Sequence, residues 1–200
     1  MRHDIDYDLR KAVDFAKIEK NEGIKSTYFV LLSSDFYNPA SKSSYEALHE
    51  IAGYGHNIGL HFDETIYDYS RHNMEYYIEK EAIILEKLSG LKINSFSLHR
   101  PNAITLESEL SIPNFVNSYS RELFKNFKYL SDSRRRWREP VNDIIDSGEY
   151  NKLHILTHAF WYGEKDKDLK ETIVKFIERA SEDRCSYLKE NITDLNSILK

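Results

Sequence analysis

Ser43-Ser44-Tyr45-Glu46-Ala47-Leu48-His49-Glu50-Ile51-Ala52-Gly53-Tyr54-Gly55-His56-Asn57-Ile58-Gly59-Leu60-His61 is the stretch on which the fold turns. Its first part carries apolar residues at helical spacing from about Ser43 to Ile51, and Gly53-Tyr54-Gly55 stops that pattern. Asn57 to His61 then reads as a short strand that ends on a histidine. Helix, stop and strand in this order are half of a βα repeat, and the rest of the chain is searched for the same unit.

The repeat extends in both directions. Upstream, Met1-Arg2-His3-Asp4-Ile5-Asp6 is an opening strand, and residues 9–20 form a helix that Asn21-Glu22-Gly23 ends as a C-cap would. Thr27 to Leu32 is the next strand. Downstream, a helix from Met74 to Leu88 stops at Gly90, and strands follow at Ile93 to His99, Tyr129 to Ser131 and Lys152 to Thr157. The last long helix runs from about Asp168 to Leu188. Residues 102–126 hold helix-like pieces without a clear strand, and are expected to wrap one side of a barrel. Strands alternating with helices, with no repeat or linker between them, predict one α/β domain over residues 1–200.

Composition narrows the function. With 200 residues, 40% of them hydrophobic and 13% aromatic, the chain can bury a substantial core. The net charge of -5 sets up no field that would draw nucleic acid or an anionic membrane. Arg134-Arg135-Arg136 is a local basic run, expected as a solvated loop. A lone cysteine, Cys185, excludes an intramolecular disulfide and fits a reducing cytoplasm; its charged neighbours place it on a helix surface. Neither a membrane span nor a signal peptide is expected, since no apolar stretch approaches twenty residues and no basic-then-apolar leader is present.

Of the eight histidines, four fall where a strand ends or turns: His3, His61, His99 and His158. In βα barrels the carboxyl ends of the strands converge on one face, so Asp4, Asp6, His61, His99, Arg100, Asp132 and His158 are expected to meet there. Alternation puts Asp4 and Asp6 on one side of their strand and turns Ile5 into a core. Two carboxylates so close repel unless a cation or a shared proton lies between them. With neutral imidazoles beside them they suit zinc or another first-row divalent ion that activates water for hydrolysis. His49, His56, His72 and His154 are left outside this site as surface, turn or core groups.

These motifs resemble those of the polysaccharide deacetylases, metal-dependent esterases that remove acetyl groups from sugar polymers on a distorted (β/α) barrel. His3-Asp4-Ile5-Asp6 resembles the first motif, which implies Asp4 as catalytic base and Asp6 as metal ligand. Ser26-Thr27-Tyr28-Phe29-Val30 resembles the second strand of that family. Gly55-His56-Asn57-Ile58-Gly59-Leu60-His61 resembles its most specific segment and implies His61 as a ligand. Ser97-Leu98-His99-Arg100-Pro101 resembles the third motif, whose arginine orients the base, so Arg100 is expected to pair with Asp4. Asp132, in Leu130-Ser131-Asp132-Ser133, and Trp137 resemble the fourth motif, the wall around a catalytic histidine and the acetyl pocket. Leu156-Thr157-His158-Ala159-Phe160-Trp161 resembles the fifth and implies His158 as general acid, with Trp161 lining the sugar site.

The resemblance thus implies a barrel of six or seven strands, a divalent metal such as zinc, and a carbohydrate substrate from a bacterial surface glycan or its precursor. Two further readings accompany it: a glycan-binding protein on a degenerate barrel, and a metal hydrolase of another C–N bond. The family's second ligand histidine, four residues after the first, is here Thr65. Asp63, Glu64, His99 or His3 could complete the coordination; His99 is preferred because it ends a neighbouring strand and has no other family role. Ala159 also stands where the family commonly has proline. With three residues before Asp4, the first strand is expected to be short and weakly anchored.

Overall fold

Strand β1 (Arg2–Ile5) is buried along its whole length and hydrogen-bonded on both sides, to β2 (Thr27–Leu31) and β7 (Leu153–Thr157). The short opening strand is therefore held in the middle of a sheet, against the expectation of weak anchoring, because β2 pairs with all four of its residues and β7 with Arg2 and His3. The computed structural model describes residues 1–67, 73–163 and 168–199. His72 lies outside the described residues. The chain divides into two compact units, Met1–Phe160 and Trp161–Lys200.

The first unit carries all seven strands found among the described residues. β3 (Asn57–Asp63), β4 (Ser95–His99), β5 (Val116–Asn117) and β6 (Lys128–Ser131) complete a parallel sheet in the order β5-β4-β3-β2-β1-β7-β6. It curls as an α/β distorted half-barrel, with no ladder between β5 and β6. Sequence periodicity found six of the strands; β5 escaped it because two residues are too few to show a period of two.

Helices α1 (Leu9–Asn21), α2 (Lys42–Gly53) and α3 (Met74–Ser89) bury one stripe each against the sheet. In α1 that stripe is Leu9, Ala12, Ala16 and Glu19, at helical spacing. Asp8 caps α1 by accepting from the Arg10 N–H, Ser41 caps α2, and Gly90, at φ 69°, ends α3 in the left-handed region open to glycine. The apolar core lies on this helix side: Ile5, Tyr28, Val30, Ile58, Leu60, Phe62 and Phe96 from the strands meet Ala12, Leu48, Ile51, Ile78 and Leu85 from the helices. Strand alternation then leaves Arg2, Asp4, Gly59, His61, Ser95, Ser97 and His99 on the inner face of the curl.

Three short helices, α4 (Ala103–Glu107), α5 (Arg121–Asn126) and α6 (Val141–Ser147), fill the connections of this unit. The second unit contains α7 (Leu169–Asn191), with the half-buried Cys185, and α8 (Leu195–Ile198). Among the described residues no helix is long and apolar enough to cross a membrane.

Candidate active site

Asp6 follows the end of β1, His61 lies on β3 and His99 ends β4, and the curl brings their donor atoms to one point. Asp6 Oδ1 is 3.2 Å from His61 Nε2 and 3.3 Å from His99 Nδ1, and the two ring nitrogens are 3.1 Å apart. Asp6 Oδ1 is buried and has no hydrogen-bond partner. One carboxylate oxygen and two imidazole nitrogens, converging with an unsatisfied oxygen among them, fit a first-row divalent cation. Burial by itself would push the Asp6 carboxyl up, but the His61 and His99 rings and the charge of His158 outweigh it and hold the group well below the usual carboxylate range.

The other groups weighed as third ligand are engaged elsewhere. Asp63 accepts the backbone N–H and the hydroxyl of Thr65, at 2.9 and 2.7 Å, and so caps a 3-10 turn over Glu64–Ile66. Thr65 thus lies in the turn that follows β3, with its hydroxyl held by Asp63. Glu64 is buried and accepts the Asn102 N–H at 2.7 Å. His3, counted among the strand-end histidines, points to the opposite face, because it neighbours Asp4 in an alternating strand.

Asp4 lies one layer below the cluster, 3% exposed, with Oδ2 3.9 Å from His61 Nε2. Its expected partner was Arg100, and the structure corrects this. Arg100 is exposed, and as the residue after His99 it falls out of step with the inward-facing Ser95, Ser97 and His99. The guanidinium at Asp4 is that of Arg2, 3.8 Å away and 2% exposed. Arg2 in turn donates to the Ser118 hydroxyl and lies 4.5 Å over the Tyr119 ring. The Ser97 hydroxyl donates to Asp4 Oδ2 at 3.1 Å, while Asp4 Oδ1 is buried without a partner. Sequence reading missed Arg2 and Ser97. The same period of two that pairs Asp4 with Asp6 also puts Arg2 beside them, and that was the available signal.

His158 follows β7, where Asp132, which follows β6, grips it twice. Asp132 Oδ1 is 2.6 Å from His158 Nδ1, and Oδ2 accepts the His158 backbone N–H at 3.0 Å. Nδ1 therefore carries the proton, which leaves Nε2 facing the cluster, 3.8 Å from Asp6 Oδ2. Burial disfavours the imidazolium, but the Asp132 contact and the charges of Asp4, Asp132 and Asp6 prevail and raise the His158 pKa.

The two tryptophans separate. Trp137 is half-buried, just past a 3-10 turn at Ser133–Arg135 that follows Asp132, whereas Trp161 is the first residue of the second unit. Arg134, Arg135 and Arg136 are exposed, as expected of a solvated run. Of the histidines set aside, His49 bonds the Ser89 carbonyl, and His154 is buried beside the Tyr129 ring.

No protein-family model and no curated protein matches the sequence. Solved structures do match in fold. A family 4 carbohydrate esterase from Bacillus anthracis is 16% identical, covers 91% of this chain and 74% of its own, and superposes with a TM-score of 0.50. The polysaccharide deacetylase Bc1974 from Bacillus cereus is 13% identical, with coverages of 92% and 86% and a TM-score of 0.51. A mutant of a CE4 family pseudoenzyme with restored enzymatic activity matches at 14% identity and a TM-score of 0.45; this chain spans 61% of its length. The shared property is the fold of the family 4 carbohydrate esterases.

Proposed function

We propose that this chain is a metal-dependent hydrolase that removes acetyl groups from a carbohydrate, of the polysaccharide deacetylase type. The observation that carries the proposal is the convergence of Asp6, His61 and His99, with Asp4 beneath them and the Asp132-clamped His158 beside them. Ligands, base and acid are the parts such a reaction requires, and they lie on, or just after, four strands of one sheet, β1, β3, β4 and β7.

Asp6, His61 and His99 would hold the divalent ion, zinc being the first candidate, and its chemistry there is to polarise the acyl carbonyl and acidify water. Asp4 takes the proton of the attacking water on its unpartnered Oδ1, while Arg2 and Ser97 hold the other oxygen. His158 Nε2 gives a proton to the departing amine or alkoxide. Asp132 fixes the ring so that this nitrogen faces the bond being cut, and favours the charged form that has a proton to give. Trp137 offers an aromatic face for an apolar sugar face.

Metal analysis together with acetate release from acetylated oligosaccharides tests the proposal. The expected result is about one divalent ion per chain, held by a single three-donor centre, and acetate release that stops on chelation. Protein that binds sugar but neither retains metal nor releases acetate would instead be a non-catalytic binder on the same barrel.

A further inference from the structure

A second polar cluster lies behind the sheet, on the face turned away from the reaction. His3, fully buried, places Nε2 2.9 Å from Glu19 Oε1 and Nδ1 2.6 Å from Thr157 Oγ1. Glu19, on α1, also accepts the Ser26 hydroxyl and the Tyr28 phenol, each at 2.7 Å. His56 closes the cluster: its Nδ1, 3.7 Å from Glu19 Oε2, accepts the Ser26 N–H at 3.2 Å, and its Nε2 donates to the Ala16 carbonyl at 2.9 Å.

Burial favours the neutral His3 ring, and its donors favour the ionised Glu19, which sets the directions of these bonds. An ionised carboxylate only accepts, so His3 donates from Nε2 to Glu19 and its Nδ1 is left as an acceptor. Thr157 must then donate to it. A chain of oriented bonds therefore runs from α1 through β1 to β7.

Its place in the sheet gives it a purpose. His3 immediately precedes Asp4, Thr157 immediately precedes His158, and the two are register partners across β1 and β7. That seam has two register pairs, whereas β2 and β3 share five. The seam also divides the site, with Asp4 and Asp6 on the β1 side and His158 on the β7 side. Asp6, His61 and His99 follow or belong to β1, β3 and β4, so a small slip of β7 would displace the proton donor and leave the ligand cluster intact.

We propose that Glu19, His3 and Thr157 are positioning residues that hold His158 at its working distance from Asp4 and Asp6. This inference rests on the reaction proposed above. Thr157→Val keeps the side-chain shape and removes the donor. It is expected to lower kcat about tenfold, since small misplacements of a proton donor are costly, with KM and metal affinity within about twofold of the unaltered protein. Thr157→Ser, which restores the hydroxyl, should recover kcat. Glu19→Gln, which removes the charge that orients His3, should reproduce the selective loss of kcat and serves if Thr157→Val does not fold.

A readout independent of turnover is relaxation of the His158 ring protons in cobalt-loaded protein, which weakens as the ring moves from the metal. Thr157→Val should weaken it and Thr157→Ser should not. Unchanged kcat and relaxation in Thr157→Val, an equal loss in Thr157→Ser, or a change confined to KM would each overturn the inference. Protein that binds cobalt but releases no acetate overturns the reaction alone, and the relaxation still decides the positioning; protein that binds no cobalt overturns both.

Discussion

Arg2 and Arg100 show how much the parity of a strand position decides. Both are arginines within two residues of a strand-borne site residue, and motif reading favoured Arg100. Arg100 follows the inward-facing His99 and is out of step with that face, whereas Arg2 shares the parity of Asp4 and meets it in a buried pair. An arginine fork held by Ser118 and Tyr119 is not replaceable by a point charge. Arg2→Lys is therefore expected to cut kcat about tenfold or more, while Arg100→Ala stays within about twofold, as steady-state kinetics on the two variants would reveal.

At the scale of elements, most of the first unit was legible because its strands and helices are long enough to display a period. Residues 43–61 folded as read, into α2 and β3. The expected boundaries of α1, β2, α3 and β7 also differ from the observed ones by a residue or two. What the sequence did not disclose was fixed by neighbours. β5 is a strand because Ser95 and Phe96 offer it a ladder, and α6 is a two-turn helix in a loop. The site was legible to the same degree. Strand-end position found Asp6, His61, His99 and His158 but also gathered in His3, since it ignores the parity that turns His3 to the far face.

Gly59 tests the packing that these elements impose. A Cβ there would lie 2.5 and 2.6 Å from two Phe29 ring atoms and 2.7 Å from Ser95 Oγ. Gly59→Ala should destabilise the protein by about 2–3 kcal/mol in chemical denaturation, the cost of overpacking a filled interior. Pairing it with Phe29→Leu should return part of that loss, whereas strictly additive losses would mean that the ring is not what excludes the methyl group.

On the scale of the whole molecule, one buried acid ties stability to pH. Glu81 is 3% exposed; Oε1 accepts the Tyr67 hydroxyl at 2.5 Å and Oε2 has no partner. Burial, with Asp63 adding to it against the Tyr67 contact, raises its pKa from 4.5 to about 7. A folded-state pKa above the unfolded one gives stability that is fully present below about pH 4.5 and is lost as pH rises through about 7. The shift corresponds to about 3 kcal/mol at most. Glu81→Gln should therefore flatten the unfolding free energy between these pH values. It should also gain on the unaltered protein as pH rises, and an identical pH profile for the two would refute the assignment.

The central place of β1 also governs when the site can exist. Its partner β7 lies about 150 residues later in the chain, and translation at about 5–20 residues per second separates the two by roughly 8–30 s. Through that interval the β7-facing edge of β1 has no β7 to pair with, and Asp4 and Asp6 lack the histidine that completes the proposed site. β1 to β4, and with them Asp6, His61 and His99, are synthesised well before His158. On the proposed function, the ligand residues and the proton donor thus arrive as separate events in the life of each molecule.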